Sequence, residues 1–237
     1  DLYLVTSPAG AAGVRRYLPR ARVAVVPPPV RPAFACLPPR REARSSLGIP
    51  AGARCVLLMG GGWGLGPVEG AARALAAAGV HVLAVAGRNR RLAARLESLA
   101  ASSPRVHPYG FTPRIAELMS ASDLVVTLPG ALTCGEARAA GRTLVLLDAM
   151  PGHGRENLQH ELELGEAEAC GPRPPEITAS VLAALDRPPR DRPPVQVVRS
   201  RGDWDQAFAA AMASIGLARE LSGGRPNAPT FREAGYP

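Results

Sequence analysis

Cys55-Val56-Leu57-Leu58-Met59-Gly60-Gly61-Gly62-Trp63-Gly64-Leu65-Gly66-Pro67-Val68 decides how this chain is read. An unbroken apolar run of strand length runs straight into a glycine-rich turn, and the turn opens an Ala-rich stretch of helical character from Val68 to Ala78. A strand with no polar alternation is one covered on both faces, as in a parallel sheet flanked by helices. Glycines at such a turn let the backbone come close to a phosphate and leave the helix N-terminus free to face it. The spacing is not G-x-G-x-x-G, and the next strand ends without the Asp or Glu that would hold an adenosine ribose, so a plain tight turn and a phosphate site both fit this loop.

Outward from there the pattern repeats. Strands are predicted at Cys55 to Met59, Val80 to Ala86, Arg105 to Tyr109, Asp123 to Thr127 and Leu144 to Asp148. Helices are predicted between and after them, at Val68 to Ala78, Arg90 to Ala100, Arg114 to Ser120, Thr133 to Ala140 and Glu156 to Leu164. Strict β/α alternation predicts an α/β fold, a Rossmann-like doubly wound parallel sheet. The ends differ. Residues 1–35 read as a strand (Leu2 to Thr6), a helix from Pro8, a strand (Val23 to Val26) and then Pro27-Pro28-Pro29-Val30-Arg31-Pro32, a stiff tract suited to crossing between domains. Residues 36–185 form the predicted nucleotide-binding domain, closing with a helix from Glu176 to Leu185. Residues 186–237 read as a Pro/Arg-rich linker, a helix from Asp203 to Ala218 and a frayed tail.

Composition narrows the function. The formal net charge is +8, yet all 28 basic residues are Arg and there is no Lys, so the charge reflects an overall compositional bias more than a nucleic-acid partner; none is expected. Absence of Lys also removes a Walker A loop from consideration. No apolar run reaches the roughly 18 residues of a membrane span, and no signal peptide is visible. A chain opening on Asp1 reads as a fragment. Cys36, Cys55, Cys134 and Cys170 lack metal-ligand spacing with one another or with His81, His107, His153 and His160, so reduced thiols and no metal are expected. Cys55 reads as a small core residue, and His81 and His107 as core or edge histidines. Arg88-Asn89-Arg90-Arg91 reads as a solvated helix start, with contact to phosphate or a lipid headgroup as the alternative.

A second candidate is Thr127-Leu128-Pro129-Gly130-Ala131-Leu132-Thr133-Cys134-Gly135-Glu136, again a strand end running into a helix. Thr133 with Glu136 three residues on makes a capping box. The alternative is functional: amides of Gly130, Ala131, Leu132 and Thr133 on a phosphate, and Glu136 accepting from the two ribose hydroxyls. In an open α/β sheet the loops leaving the carboxyl ends of the strands share one crevice. Four segments leave that edge: Gly60 to Gly66, Gly110-Phe111-Thr112, Pro129 to Glu136, and Pro151-Gly152-His153-Gly154-Arg155-Glu156-Asn157. Two phosphate-binding turns, an aromatic ring and a carboxylate suit a nucleoside diphosphate that carries a further group.

With these four motifs in order, Val56 to Ala167 resembles the C-terminal domain of the monogalactosyldiacylglycerol synthases and processive diacylglycerol glucosyltransferases, relatives of the peptidoglycan lipid II transferase. The match consists of the glycine loop from Met59 to Pro67, Tyr-Gly-Phe to Asp over Tyr109 to Asp123, Pro-Gly-x-Leu-Thr-x-x-Glu over Pro129 to Glu136, and Pro-Gly-x-x-x-x-Asn over Pro151 to Asn157. Asp1 to Phe34 looks like the end of the family's N-terminal domain and its linker, and the resemblance extends over about residues 1–185.

The resemblance implies the C-terminal half of a two-domain GT-B glycosyltransferase, the donor half of a metal-independent, inverting hexosyltransferase. It would transfer sugar from a UDP-sugar to a membrane lipid such as diacylglycerol, at the cytoplasmic face and with peripheral membrane contact. It also implies binding residues. Gly61, Gly62, Trp63 and Gly64 together with Gly130, Ala131, Leu132 and Thr133 would hold the diphosphate, Phe111 the uracil, Glu136 the ribose, and His153, Glu156 and Asn157 the sugar. The catalytic base and the acceptor surface would belong to an N-terminal half. Leu128 stands where the family has Lys, Ala131 where it has a second Gly, and His153-Gly154 where it has Gln-Glu, which leaves the identity of the sugar open. Two other readings remain: a nucleotide-sugar-binding subunit of a split membrane enzyme, and a nucleotide-sugar epimerase with the same two-domain fold.

Overall fold

The computed structural model describes residues 2–26, 30–148, 154–165, 167–187 and 201–215, the last stretch by backbone only at 201–203. Its centre is a six-stranded, wholly parallel sheet. The strands are β3 (Cys55–Met59), β4 (His81–Val85), β5 (Val106–Tyr109), β6 (Leu124–Thr127), β7 (Thr143–Leu147) and β8 (Ala167–Cys170). They lie in the order β5-β4-β3-β6-β7-β8. Counted within the sheet this is 3-2-1-4-5-6, the doubly wound dinucleotide-binding order, and it reverses direction between β3 and β6.

Strand composition explains the layering. Successive side chains of a strand point to opposite faces. Cys55, Leu57 and Met59 accordingly enter one core with Ile115, Leu118 and Met119 of α5 (Ile115–Ala121) and Cys134 and Ala137 of α6 (Ala131–Ala139). Val56 and Leu58 enter the other core with Val68, Ala71 and Leu75 of α3 (Val68–Ala77), Leu92, Leu96 and Leu99 of α4 (Arg90–Ser102), and Ile177 and Val181 of α8 (Pro174–Leu185).

Three elements escape the sequence pattern. A 3-10 turn spans Pro32–Phe34, α2 covers Arg40–Ser46, and β8 carries Ala-Glu-Ala-Cys. Helix α2 lies in a stretch dominated by Pro and Arg with no apolar stripe, and β8 offers neither β-branched nor aromatic residues. Both are held by tertiary contact. Arg44 of α2 is 1% exposed. It donates to the carbonyls of Ala121 (2.9 Å), Ala51 (2.5 Å) and Ala53 (2.9 Å) and to Asp123 Oδ2 (3.0 Å). Asp123 in turn accepts from the Cys55 amide at 2.8 Å, so a carboxylate lying in the Tyr109 to Asp123 motif fastens the N-terminal ends of the strands.

The first described residues form a separate two-stranded parallel pair, β1 (Leu2–Val5) and β2 (Arg22–Val25), joined by α1 (Pro8–Tyr17). The last described helix, α9 (Arg201–Ser214), returns to this unit, where Ala24 and Val26 share a small core with Trp204, Phe208, Ala211 and Met212. Helix α1 lies against α7 (Arg155–Glu163) of the larger unit. Among the described residues no helix is long and apolar enough to cross a membrane.

Candidate functional site

A cleft of about 190 Å³ opens at the C-terminal ends of β3, β6 and β7, at the point where the strand order reverses. Crevices form there because the loops from two adjacent strands leave toward opposite faces of the sheet. Gly60, Gly61, Gly62 and Trp63 line it from the β3 side, Pro129, Gly130 and Thr133 from the β6 side, and Asp148 from the β7 side.

The glycine loop divides its work between two roles. A Cβ on Gly60 would stand 2.1 Å from the Leu65 carbonyl oxygen, and one on Gly64 would stand 2.2 Å from that of Ala86. Gly64 also has a φ of 57°, and its amide donates to the Gly61 carbonyl at 3.1 Å. These glycines close a tight turn and clamp it to the segment after β4, where the Arg88 amide donates to Gly62 O at 2.8 Å. Gly62 is different: a Cβ there would meet nothing within 4 Å, and its φ is not positive. The fold does not require glycine at 62, and the cleft gains the space. Gly130 is the same, with φ −98° and open room where a Cβ would be.

Gly130, not Thr133, is the N-cap of α6, and no side chain caps this helix. The capping box drawn from Thr133 and Glu136 is therefore absent: the helix begins two residues earlier than predicted, which places Glu136 in its second turn. The amides of the first turn have no partner within the helix. Those of Ala131, Leu132 and Thr133 belong to the end that opens on the cleft, where the helix dipole adds positive potential. Leu132 itself is exposed.

Glu136 is 5% exposed and already engaged. Arg31, in the segment joining the two units, reaches it in a two-pronged pair, Nε to Oε1 at 2.5 Å and Nη2 to Oε2 at 3.0 Å. The Arg31 guanidinium also lies 5.5 Å from the centre of the Phe34 ring. Nothing in the sequence joined Arg31 to Glu136, because 105 residues separate them.

The other candidates scatter around this centre. Phe111 is 67% exposed beyond β5, with the Arg88 guanidinium 5.0 Å from its ring centre, and it does not line the cleft. In the same basic run Asn89 caps α4, its side chain accepting from the Leu92 amide at 2.9 Å. Asn157 supports the site from behind, donating to the Pro129 carbonyl at 3.2 Å. Glu156 lies against Gly13 of α1. His153 falls outside the described residues. Asp148 and Leu147 line the cleft although the sequence reading treated them as strand only; their place one strand beyond β6 was the available signal.

Two groups of titratable side chains lie elsewhere. His81 Nδ1 and His107 Nε2 are 3.1 Å apart on neighbouring strands, and burial lowers the pKa of both. Burial pushes the thiols of Cys55, Cys134 and Cys170 up to about 11, about 12 and about 11, which makes them inert core groups.

The fold and the position of the cleft are those of the Rossmann-like half of a two-domain GT-B protein. WaaG, a glycosyltransferase involved in lipopolysaccharide biosynthesis, superimposes with a TM-score of 0.59 over 93% of this chain and 62% of its own, at 18% identity. More particularly, residues 66–170 match the glycosyltransferase family 28 C-terminal domain. A probable chloroplastic monogalactosyldiacylglycerol synthase of Nicotiana tabacum is 37% identical over 175 residues, which are 69% of this chain and 32% of that protein. The UDP-N-acetylglucosamine--N-acetylmuramyl-(pentapeptide) pyrophosphoryl-undecaprenol N-acetylglucosamine transferase of Mycolicibacterium paratuberculosis is 33% identical over 230 residues, 88% of this chain and 55% of that protein. The chain thus spans about a third to about half the length of these relatives.

Proposed function

We propose that this chain is the donor-binding half of a hexosyltransferase that takes its sugar from a UDP-sugar, without a metal ion, and delivers it with inversion to a membrane lipid at the cytoplasmic face. The observation that carries the reading is the convergence, at the sheet's switch point, of two turns that leave space at Gly62 and Gly130 and of an uncapped helix N-terminus. That combination suits a diphosphate: amides reach the oxygens at close range and the helix dipole favours negative charge. As the bond to the sugar breaks, charge builds on the leaving diphosphate, and donors already aimed at it stabilise that charge without reorganising. Metal-independence rests on this donor set.

The choice of nucleotide and acceptor rests on the two sequence relatives. The name of one joins a UDP-sugar to a lipid-linked acceptor, and that of the other names a galactosylated diacylglycerol. Phe111 is assigned to the uracil side and Glu136 to the ribose. The ribose must then displace or share the Arg31 guanidinium. The acceptor surface and the general base are assigned to the part of the relatives' length that this chain does not span.

Titration calorimetry in EDTA tests the reading. UDP is expected to bind this chain without divalent cation and more tightly than ADP. A requirement for Mg²⁺, or a preference for ADP, refutes it. In liposomes containing diacylglycerol the chain by itself is expected to show no transfer from UDP-glucose or UDP-galactose; robust transfer would show that the base has been misplaced.

A further inference from the structure

Asp148 stands in the cleft with no role in the reading above. It directly follows β7, its backbone amide donates to the Cys170 carbonyl at 3.0 Å, and its side chain is exposed. Among the described residues nothing engages its carboxylate, and it supplies the only acidic side chain of the cleft lining. Burial or an ion pair explains most conspicuous carboxylates of this sheet: Asp123 serves the Arg44 network, Glu136 takes Arg31, and Glu161 takes Arg138. Neither explanation applies to Asp148.

Across the cleft stands Trp63, 70% exposed, next to Gly64, whose left-handed backbone fixes the turn. Strand β6 lies between β3 and β7, so the ends of the outer two strands are about 10 Å apart at ordinary strand spacing. The cleft that Trp63 and Asp148 both line, about 190 Å³, has room for one six-membered ring. A carboxylate on one wall repels a diphosphate, so the diphosphate lies toward the glycine turns and α6, and the group facing Asp148 must be neutral and rich in donors. Paired hydroxyls fit, because one ionised carboxylate accepts from two of them. An indole face fits the C–H side of the same ring, apolar surface against apolar surface.

We infer that Asp148 and Trp63 form the sugar subsite of the cleft, Asp148 accepting hydrogen bonds from adjacent hydroxyls of the donor hexose while Trp63 covers the ring. The inference rests on the nucleotide reading and adds Asp148 and Trp63 to His153, Glu156 and Asn157, the residues that the resemblance assigns to the sugar.

Calorimetry of this chain in EDTA with UDP, UDP-glucose, UDP-galactose and UDP-N-acetylglucosamine tests it. For the native chain at least one UDP-sugar is expected to bind tighter than UDP by roughly fivefold or more, as one or two charge-assisted hydrogen bonds partly offset by water would give. Asp148→Ala is expected to bring that sugar nucleotide to within about twofold of UDP and to leave UDP itself unchanged or slightly tighter, since a negative charge near the diphosphate is gone. Trp63→Ala is expected to lose part of the same increment, and neither variant should melt lower. The inference is overturned if the native chain shows no increment for any of the three sugars, or if the increment survives Asp148→Ala. It is overturned equally if Asp148→Ala matters only when Mg²⁺ is added, which would make Asp148 a cation ligand. If UDP itself does not bind, the nucleotide reading fails and this inference with it; if UDP binds and the increment ignores position 148, only the inference fails.

Discussion

The two edges of the central sheet are built on opposite plans. At the N-terminal edge most polar groups satisfy one another, with Arg142 Nε the buried exception: Arg44 spends its donors on backbone carbonyls and Asp123, and Asp123 receives the Cys55 amide. At the C-terminal edge they are left open. Gly62 and Gly130 keep empty the space a side chain would fill, α6 has no side-chain cap, Asp148 has no partner among the described residues, and Trp63, Leu65, Phe111 and Leu132 are exposed. A buried polar group without a partner costs folding free energy, whereas an exposed one is available to a ligand. One edge therefore carries stability and the other is free to carry function.

The largest expected effect breaks the closed edge. Arg44→Met removes a buried guanidinium and leaves its acceptors unsatisfied, a change of about 3–5 kcal/mol. Urea denaturation should show that loss, while UDP affinity under native conditions stays near the native value. A loss below about 1 kcal/mol would mean that water replaces the guanidinium and that this edge is not closed.

Next come two glycines of one loop, which sharpen the comparison within a few residues. Gly64→Ala is expected to cost at least about 1–2 kcal/mol from its left-handed backbone alone, with the clash against the Ala86 carbonyl in addition. Gly62→Ala is expected to shift stability by no more than about 0.5 kcal/mol and to weaken UDP clearly. Equal melting temperatures for the two variants, or normal UDP binding by Gly62→Ala, would erase the division between turn and cradle.

Glu136→Gln tests where the two plans meet. The carboxylate is buried like one edge and assigned to a ligand like the other. UDP should bind about tenfold more weakly, and discrimination against a nucleotide without ribose hydroxyls should fall. Stability should drop by about 1 kcal/mol or less, because Arg31 is half exposed and solvent screens its loss. Normal UDP binding with a large drop in stability would make Glu136 an anchor for the linker and nothing more.

The smallest effect is a pH dependence. In the folded chain burial holds His81 and His107 below the ordinary histidine value, so the unfolded chain binds protons more readily. Their contribution is intact above about pH 6.5 and is lost as pH falls through the lowered values. The melting temperature is expected to decline from pH 7 toward pH 5, and the decline should be shallower in His107→Gln. A decline of the same slope in that variant would assign it to other groups.

Periodicity and punctuation determined much of this protein without its coordinates. Four of the five predicted strands and the helices between them follow from buried apolar runs, and β5, Val-His-Pro-Tyr, from its place in the alternation before Gly110, because those signals are local. The convergence of the two glycine turns was legible too, since a parallel sheet sends the carboxyl ends of its strands to one edge. Tertiary structure decided the rest, for physical reasons. Helix α2 and strand β8 lack local pattern and exist through long-range bonds and pairing, Arg44 to Asp123 and β7 to β8. Thr133 with Glu136 has the sequence of a cap, yet the helix starts at Ala131, because a cap is a matter of where the backbone enters the helix and not of residue spacing. Which glycine is needed by the turn and which leaves room depends on a carbonyl from another loop, and the partner of Glu136 lies 105 residues away; no window of sequence contains either fact.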